Sequence, residues 1–284
     1  MEVTRNPFCK TCEGSGVLIT PGGRHAEAAV CGCSQVCTIC NGSGFLFEKD
    51  QLDRESARKC HCEQRRIRVR MFNEASVPAK YFEARLDERF RDKENQSAYS
   101  SLKLLASDYV RGQRGILLMG PSGVGKTFLV AALIHEIIIN RGIPAQFRDF
   151  FHLLADLRSG YSRGISEAEL IGPLVDVEIL VVDELGKGRN TPWELNILDV
   201  LISQRYNNKK TTVFTTNYTD SRNTTLTERI RGKDQASEDN DREIRDTLRE
   251  RVGSRIHSRL KEMCDFISIL GEDRRERGPI REQG

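Results

Sequence analysis

The sequence predicts an α/β fold: a parallel sheet flanked by helices, with a small N-terminal zinc-binding domain attached. Three observations carry this expectation. From residue 101 onward, apolar strands alternate with helix-length segments. GPSGVGKT at 120–127 follows one such strand and opens a helix. Eight of the nine cysteines fall within the first 62 residues, in four close pairs.

Those pairs form an internal repeat. Cys9-x-x-Cys12 is followed by Gly14-Ser15-Gly16 and later by Cys31-x-Cys33; Cys37-x-x-Cys40 is followed by Gly42-Ser43-Gly44 and later by Cys60-x-Cys62. The residues after the glycines match in kind, VLI against FLF. Each unit offers four thiols, enough for one tetrahedral zinc, so two zinc ions are expected. A CxxC knuckle curls around its metal, and glycine tolerates the positive φ of such turns. Clustering of this kind favours metal thiolates over disulfides in a reducing compartment. Duplication favours pairing within each repeat, and a crossed arrangement of outer and inner pairs stays open. His61 lies between Cys60 and Cys62 and could replace a ligand; the favoured reading points it away.

QLDRESARKCHCEQRRIRVR at 51–70 carries excess positive charge. A solvated helix face is favoured over contact with a nucleic-acid backbone. VPAKYFEARLDERF then supplies a proline boundary and apolar anchors, with a junction near residue 75.

In the main domain SLKLLASDYV reads as a helix and GILLMG as a buried strand. KTFLVAALIHEIIIN is a helix closed by Arg141-Gly142; PAQFRDF is a strand, and FHLLADLRSG a helix ended by Gly160. EILVVDEL is a strand, LNILDVLISQRYNN a helix and TTVFTTN a strand. A polar insertion at 223–241 precedes a charged helix near 243–262 and the strand DFISIL.

The octet fits G-x-x-x-x-G-K-[ST]. Gly120, Pro121, Ser122, Gly123, Val124 and Gly125 form a tight loop whose amides can point at phosphate oxygens. Lys126 supplies charge for the β- and γ-phosphates, and Thr127 a hydroxyl for Mg²⁺. Asp183 ends an apolar strand and can hold the same Mg²⁺. Glu184, next in line, can orient and deprotonate an attacking water, which argues for hydrolysis over nucleotide storage. Arg255 and Arg259 share a helix face. They are read either as cations for a transferred phosphoryl group or as partners of Glu250 and Glu262.

GILLMGPSGVGKTFLVAAL, FRDFFHLLADLR, ILVVDELG, ISQRYNNKKTTVFTTNY and RVGSRIHSRLKEMCDFISILGEDRR, in this order, resemble the AAA+ ATPases of the DnaC/IstB-like group over most of residues 78–275. The resemblance implies ATP hydrolysis at a subunit interface, self-association through that interface, and action on single-stranded DNA. It implies a replicative helicase or initiator as partner in the helicase loader branch, or a transposase in the transposition helper branch. It matches Asn217 to a water-positioning sensor, Arg259 to the finger reaching a neighbour's ATP, and Arg275 to a second sensor, with Arg274 the alternative alignment. About nine residues follow Arg275, too few for a C-terminal lid, as expected of this group. CxxCxGxG resembles the zinc repeat of DnaJ-type chaperones. No His-Pro-Asp tripeptide accompanies it, so a zinc-dependent chaperone or adaptor is the lowest-ranked alternative.

The expected organisation is a cysteine-rich domain at 1–66, a linker and helical lead-in at 67–100, and the AAA+ ATPase domain at 101–284. The net charge of +3 is too small to announce nucleic acid by itself. MEVTRNPFCK lacks an apolar signal region, and no apolar run approaches the ~20 residues of a membrane span. The cytoplasm is therefore the expected location.

Overall fold

The computed structural model describes residues 8–33, 37, 39–49, 53–220 and 246–275. The 223–241 insertion and the side chain of His61 lie outside the described residues.

Strands β5 (Gly115–Met119), β6 (Ala145–Asp149), β7 (Ile179–Asp183), β8 (Thr211–Thr216) and β9 (Cys264–Ser268) form one parallel sheet in the order β6-β7-β8-β5-β9. Every residue of β5, β7 and β8 is buried, which is why they read as unbroken apolar or threonine runs. β5 lies between β8 and the edge strand β9, with Leu117 opposite both Phe214 and Phe266. The carboxyl ends of β5, β7 and β8 therefore lie side by side, where open α/β sheets bind ligands.

Helix α1 (His61–Glu74) leads to α2 (Gln96–Ser107), and α3 (Lys126–His135) continues as a π-helical turn to Arg141. Gly142, at φ 68°, ends that turn. The remaining helices are α4 (Phe150–Ser162), α5 (Glu167–Asp176), α6 (Pro192–Asn207), α7 (Leu248–Val252) and α8 (Ser254–Met263). Three differ from the sequence expectation. α4 runs through Gly160 to Ser162; the glycine makes room for Leu170 of α5, which packs where a side chain there would stand, and does not end the helix. α5 was not anticipated; a capping box between Ser166 and Glu169 starts it despite Pro173. The charged helix breaks at Gly253, whose φ of 82° separates α7 from α8.

Each cysteine unit carries a two-stranded antiparallel hairpin, β1 (Val17–Pro21) with β2 (Ala26–Val30), and β3 (Phe45–Lys49) with β4 (Glu55–Lys59). The two hairpins meet different surroundings. Val17, Ile19, Ala26 and Ala28 join the core that also holds Phe72 and Ala75, Leu102 and Ile134. The Asn73 amide donates to Ala28 O at 3.0 Å and accepts from Ala28 N at 2.6 Å, acting as a short strand. The expected division at residue 66 falls within α1, which links this core to the cysteine units. In the second hairpin only Leu46 packs inward, on Cys37, Cys40 and Cys60.

Residues 55–59 of the basic stretch are thus a strand and 61–70 most of α1, and three of its arginines have partners within the chain. Arg58 meets Glu48 at 2.5 Å, and Arg66 meets Glu63 at 3.5 Å. Arg68 donates to Ile139 O and Asn140 O at 2.9 and 3.2 Å, supplying donors to carbonyls at the end of the π turn.

Candidate functional site

The phosphate loop is shaped by what crosses it. Gly125, at φ 98°, is the N-cap of α3 and turns the loop into the helix. At Gly120 a Cβ would stand 2.1 Å from Ile269 O, so only glycine lets the chain after β9 approach. That chain continues over the loop: Arg274 N donates to Gly123 O at 3.1 Å. The Lys126 ammonium is buried and donates to Gly120 O and Pro121 O, both at 2.7 Å.

Thr127 Oγ1 donates to Asp183 Oδ1 at 3.0 Å, joining the start of α3 to the end of β7. Thr215 Oγ1 donates to the same oxygen at 2.5 Å. Burial nonetheless pushes the Asp183 carboxyl up to about 6, with the Glu184 charge adding to the rise. Glu184 has left-handed backbone, φ 58°, unusual for a side-chain-bearing residue. Its N–H is fixed by Thr215 Oγ1 at 3.0 Å, and its carboxylate meets Lys187 Nζ at 2.8 Å.

Residues 122–127, Asp183, Glu184 and Thr215 line one cavity of about 710 Å³, a volume suited to a nucleotide-sized ligand, whereas Gly120 and Pro121 stand behind its wall. Asn217, Arg274 and Arg275 line it too. Arg275 Nη2 donates to Ser122 Oγ at 2.9 Å, whereas Arg274 Nη2 faces Asp92 Oδ2 at 2.6 Å. Both alignments thus bring an arginine to the cavity, on different walls. Sequence reasoning missed the far wall: Tyr81, Phe90, Asp92 and Asn95 from the lead-in, with Phe90 4.8 Å from Phe128. The aromatics of VPAKYFEARLDERF were the available signal, read only as anchors.

Arg255 and Arg259 do not line this cavity. Both lie 3.5 Å from Asp199 of α6, with Arg255 largely exposed and Arg259 mostly covered. The partners expected in the surface reading are occupied elsewhere: Glu250 caps α7, and Glu262 accepts from Tyr206.

The thiols assemble within each repeat, as Cys9, Cys12, Cys31 and Cys33, and as Cys37, Cys40, Cys60 and Cys62. All ligand atoms of a group lie within 4.8 Å of one another. Sulfur pairs stand 3.4 and 3.9 Å apart in the first unit, and 3.4 and 3.7 Å in the second. Tetrahedral zinc with ~2.3 Å bonds needs sulfurs about 3.8 Å apart, so both groups fit the ion. Gly16 N donates to Cys12 Sγ and Gly44 N to Cys40 Sγ at 3.3 and 3.4 Å, so the two knuckles share one backbone arrangement. All nine cysteines are free thiols.

A phosphate loop on an inner parallel strand, in sheet order β6-β7-β8-β5-β9, with an Asp-Glu pair closing the adjacent cavity wall, defines a P-loop nucleotide-binding protein of AAA+ architecture. Residues 43–226 match the IstB-like ATP binding protein family, and the chain belongs to it. It is 25% identical over 122 residues to the replicative helicase loader DnaC of Escherichia coli strain K12, covering 43% of this chain and 49% of that protein. An ATP-binding protein of insertion sequence IS1162 from Pseudomonas fluorescens is 34% identical over 83 residues, 29% of this chain and 35% of that protein. The chain spans half or less of the length of these curated relatives. The crystal structure of the DnaC helicase loader aligns with a TM-score of 0.54 at 25% identity, covering 67% of this chain and 98% of that one. Among the described residues no helix is long and apolar enough to cross a membrane.

Proposed function

We propose that the chain is an ATP-hydrolysing helicase loader of DNA replication, working in the cytoplasm on single-stranded DNA. The observation that carries the hydrolysis is the Thr127–Asp183 hydrogen bond in the cavity, with Glu184 beside it, and the similarity to the DnaC helicase loader supports the loading role. Thr127 and Asp183 would hold Mg²⁺, which would supply neutralising charge to the phosphates. The amides of 120–125 and the Lys126 ammonium bind the triphosphate. Glu184 takes the proton of the attacking water, and Asn217 orients that water. Arg275 steadies the phosphates from the same protomer. Arg259, outside its own cavity, reaches the nucleotide of a neighbouring copy and stabilises charge on the transferred group.

Two zinc ions on the cysteine tetrads organise residues 1–66 as a docking head for a replicative helicase or initiator. Residues 67–100 form the lead-in, and 101–284 the ATPase. A transposition helper is the second reading, favoured by the similarity to the insertion-sequence protein. The test is ATP hydrolysis with and without single-stranded DNA, followed by co-purification with identified proteins. DNA-stimulated turnover and a bound helicase support loading; a bound transposase supports the second reading; no ATP binding defeats both.

A further inference from the structure

The two cysteine units are copies of one plan, yet one hairpin face is covered and its counterpart is not. In the first unit Val17 and Ile19 face Val30 and Ala28 across the hairpin. α1 and the segment after it cover most of that face: Val17 and Ile19 are only 6% and 7% exposed and Ala28 is buried, while Val30 at its edge is 43% exposed. Repeat equivalence puts Phe45 and Phe47 in the places of Val17 and Ile19. They face Lys59 and Ala57, and they are 43% and 70% exposed. Strand alternation sends Leu46 the other way, onto the cysteines, so the open face is Phe45, Phe47, Lys49, Glu55, Ala57 and Lys59. Large aromatics replacing smaller aliphatics on an open face are the reverse of what solvent contact favours.

We infer that this face of the second zinc unit docks an amphipathic α-helix of a partner protein, as α1 covers the first. Five strand residues span about 17 Å, the length of about 11 helical residues, or three turns. The covering helix brings an apolar stripe to Phe45, Phe47 and Ala57 and a carboxylate to Lys59, Lys49 being already paired within the hairpin. A nucleic-acid strand fits less well. Arg58 meets Glu48, and Lys49 meets Asp53 at 2.9 Å and Glu55 at 3.8 Å, so the hairpin offers no uninterrupted basic track. The inference rests on the proposed role of the zinc units as the docking head, and is indifferent to which machine the partner belongs to.

The face is small, so the contact is best trapped covalently. The full-length zinc-loaded chain carries the photo-crosslinking residue benzoylphenylalanine at position 47, or at the exposed Leu104 of α2 as control. It is irradiated in cell extract, and the attached segment is sequenced. The expected adduct is an acidic-flanked segment of another protein with apolar residues at helical spacing, not seen from position 104. As a synthetic peptide it folds helically on binding, and F45S/F47S weakens it at least about ten-fold. That variant should retain two zinc ions and ATP binding. Adducts to a second copy or to nucleic acid, no adduct above the control, or equal peptide affinity for the variant would each overturn the inference. Loss of ATP binding by the unaltered chain would instead strike the proposed function.

Discussion

Because the first hairpin shares the ATPase core and the second does not, removing one zinc ligand from each unit should have unequal consequences. The perturbations are Cys12→Ser and Cys40→Ser, each expected to cost one zinc ion. Val17, Ile19, Ala26 and Ala28 are nearly fully buried in the shared core. Burying a Val or Ile is worth about 1.5–3 kcal/mol, and the alanines less, so releasing the first hairpin forfeits roughly 5 kcal/mol. That is comparable to the whole net stability of a domain. The second hairpin contributes only Leu46 to a small cluster around its cysteines. The assay is denaturant unfolding followed by Trp193, the sole tryptophan, which lies 6.3 Å from Tyr161 in the α/β domain. Cys12→Ser should lower the midpoint steeply, while Cys40→Ser should shift this transition by less than about 0.5 kcal/mol. Equal shifts, or no shift for Cys12→Ser, would refute the asymmetry.

Other predictions follow from the buried polar groups. Asp183 is raised to about 6 by burial, so the folded, nucleotide-free protein holds this proton more tightly than the unfolded chain. Its stabilising contribution is full below the unfolded value of 3.8 and lost as pH rises through about 6, costing roughly 3 kcal/mol above that. Asp183→Asn should therefore raise the unfolding midpoint at about pH 7.5 and leave it nearly unchanged at about pH 4. In the unaltered chain, calorimetry should find Mg²⁺–nucleotide affinity falling as pH drops below about 6. Arg205, buried, donates to Leu174 O, Val175 O, Val177 O and Thr211 O, tying α5 to β8. Arg205→Met should cost about 3 kcal/mol or more in denaturant unfolding, since those carbonyls lose their donor. Glu184→Gln should bind nucleotide normally by fluorescence titration, with turnover reduced at least about 100-fold.

What the sequence disclosed and what it hid divide along a physical line. The P-loop, Asp183 and the cysteine tetrads were legible because their chemistry needs fixed residue types at short spacing. The parallel sheet was legible because strands covered on both faces read as continuous runs such as ILVVD. The far wall of the cavity was hidden, since Tyr81, Phe90, Asp92 and Asn95 come to the cavity of the phosphate loop only by tertiary return of the chain. α5 was hidden because Gly172-Pro173 resembles a breaker, while its support comes from a cap seven residues earlier. The unequal burial of the two hairpins was invisible as well. VLI and FLF are both apolar, and only the position of α1 decides which is covered.

On the proposed mechanism, ATP bound by one copy is cleaved with the Arg259 guanidinium of another. The most direct measurement of this step mixes two inactive variants, Glu184→Gln and Arg259→Ala, at equal concentration and follows phosphate release. Hybrid interfaces pair an intact Glu184 with an intact Arg259, so the mixture should recover a clear fraction of normal turnover. A mixture no more active than either variant alone, with both still binding nucleotide and associating, would contradict the account.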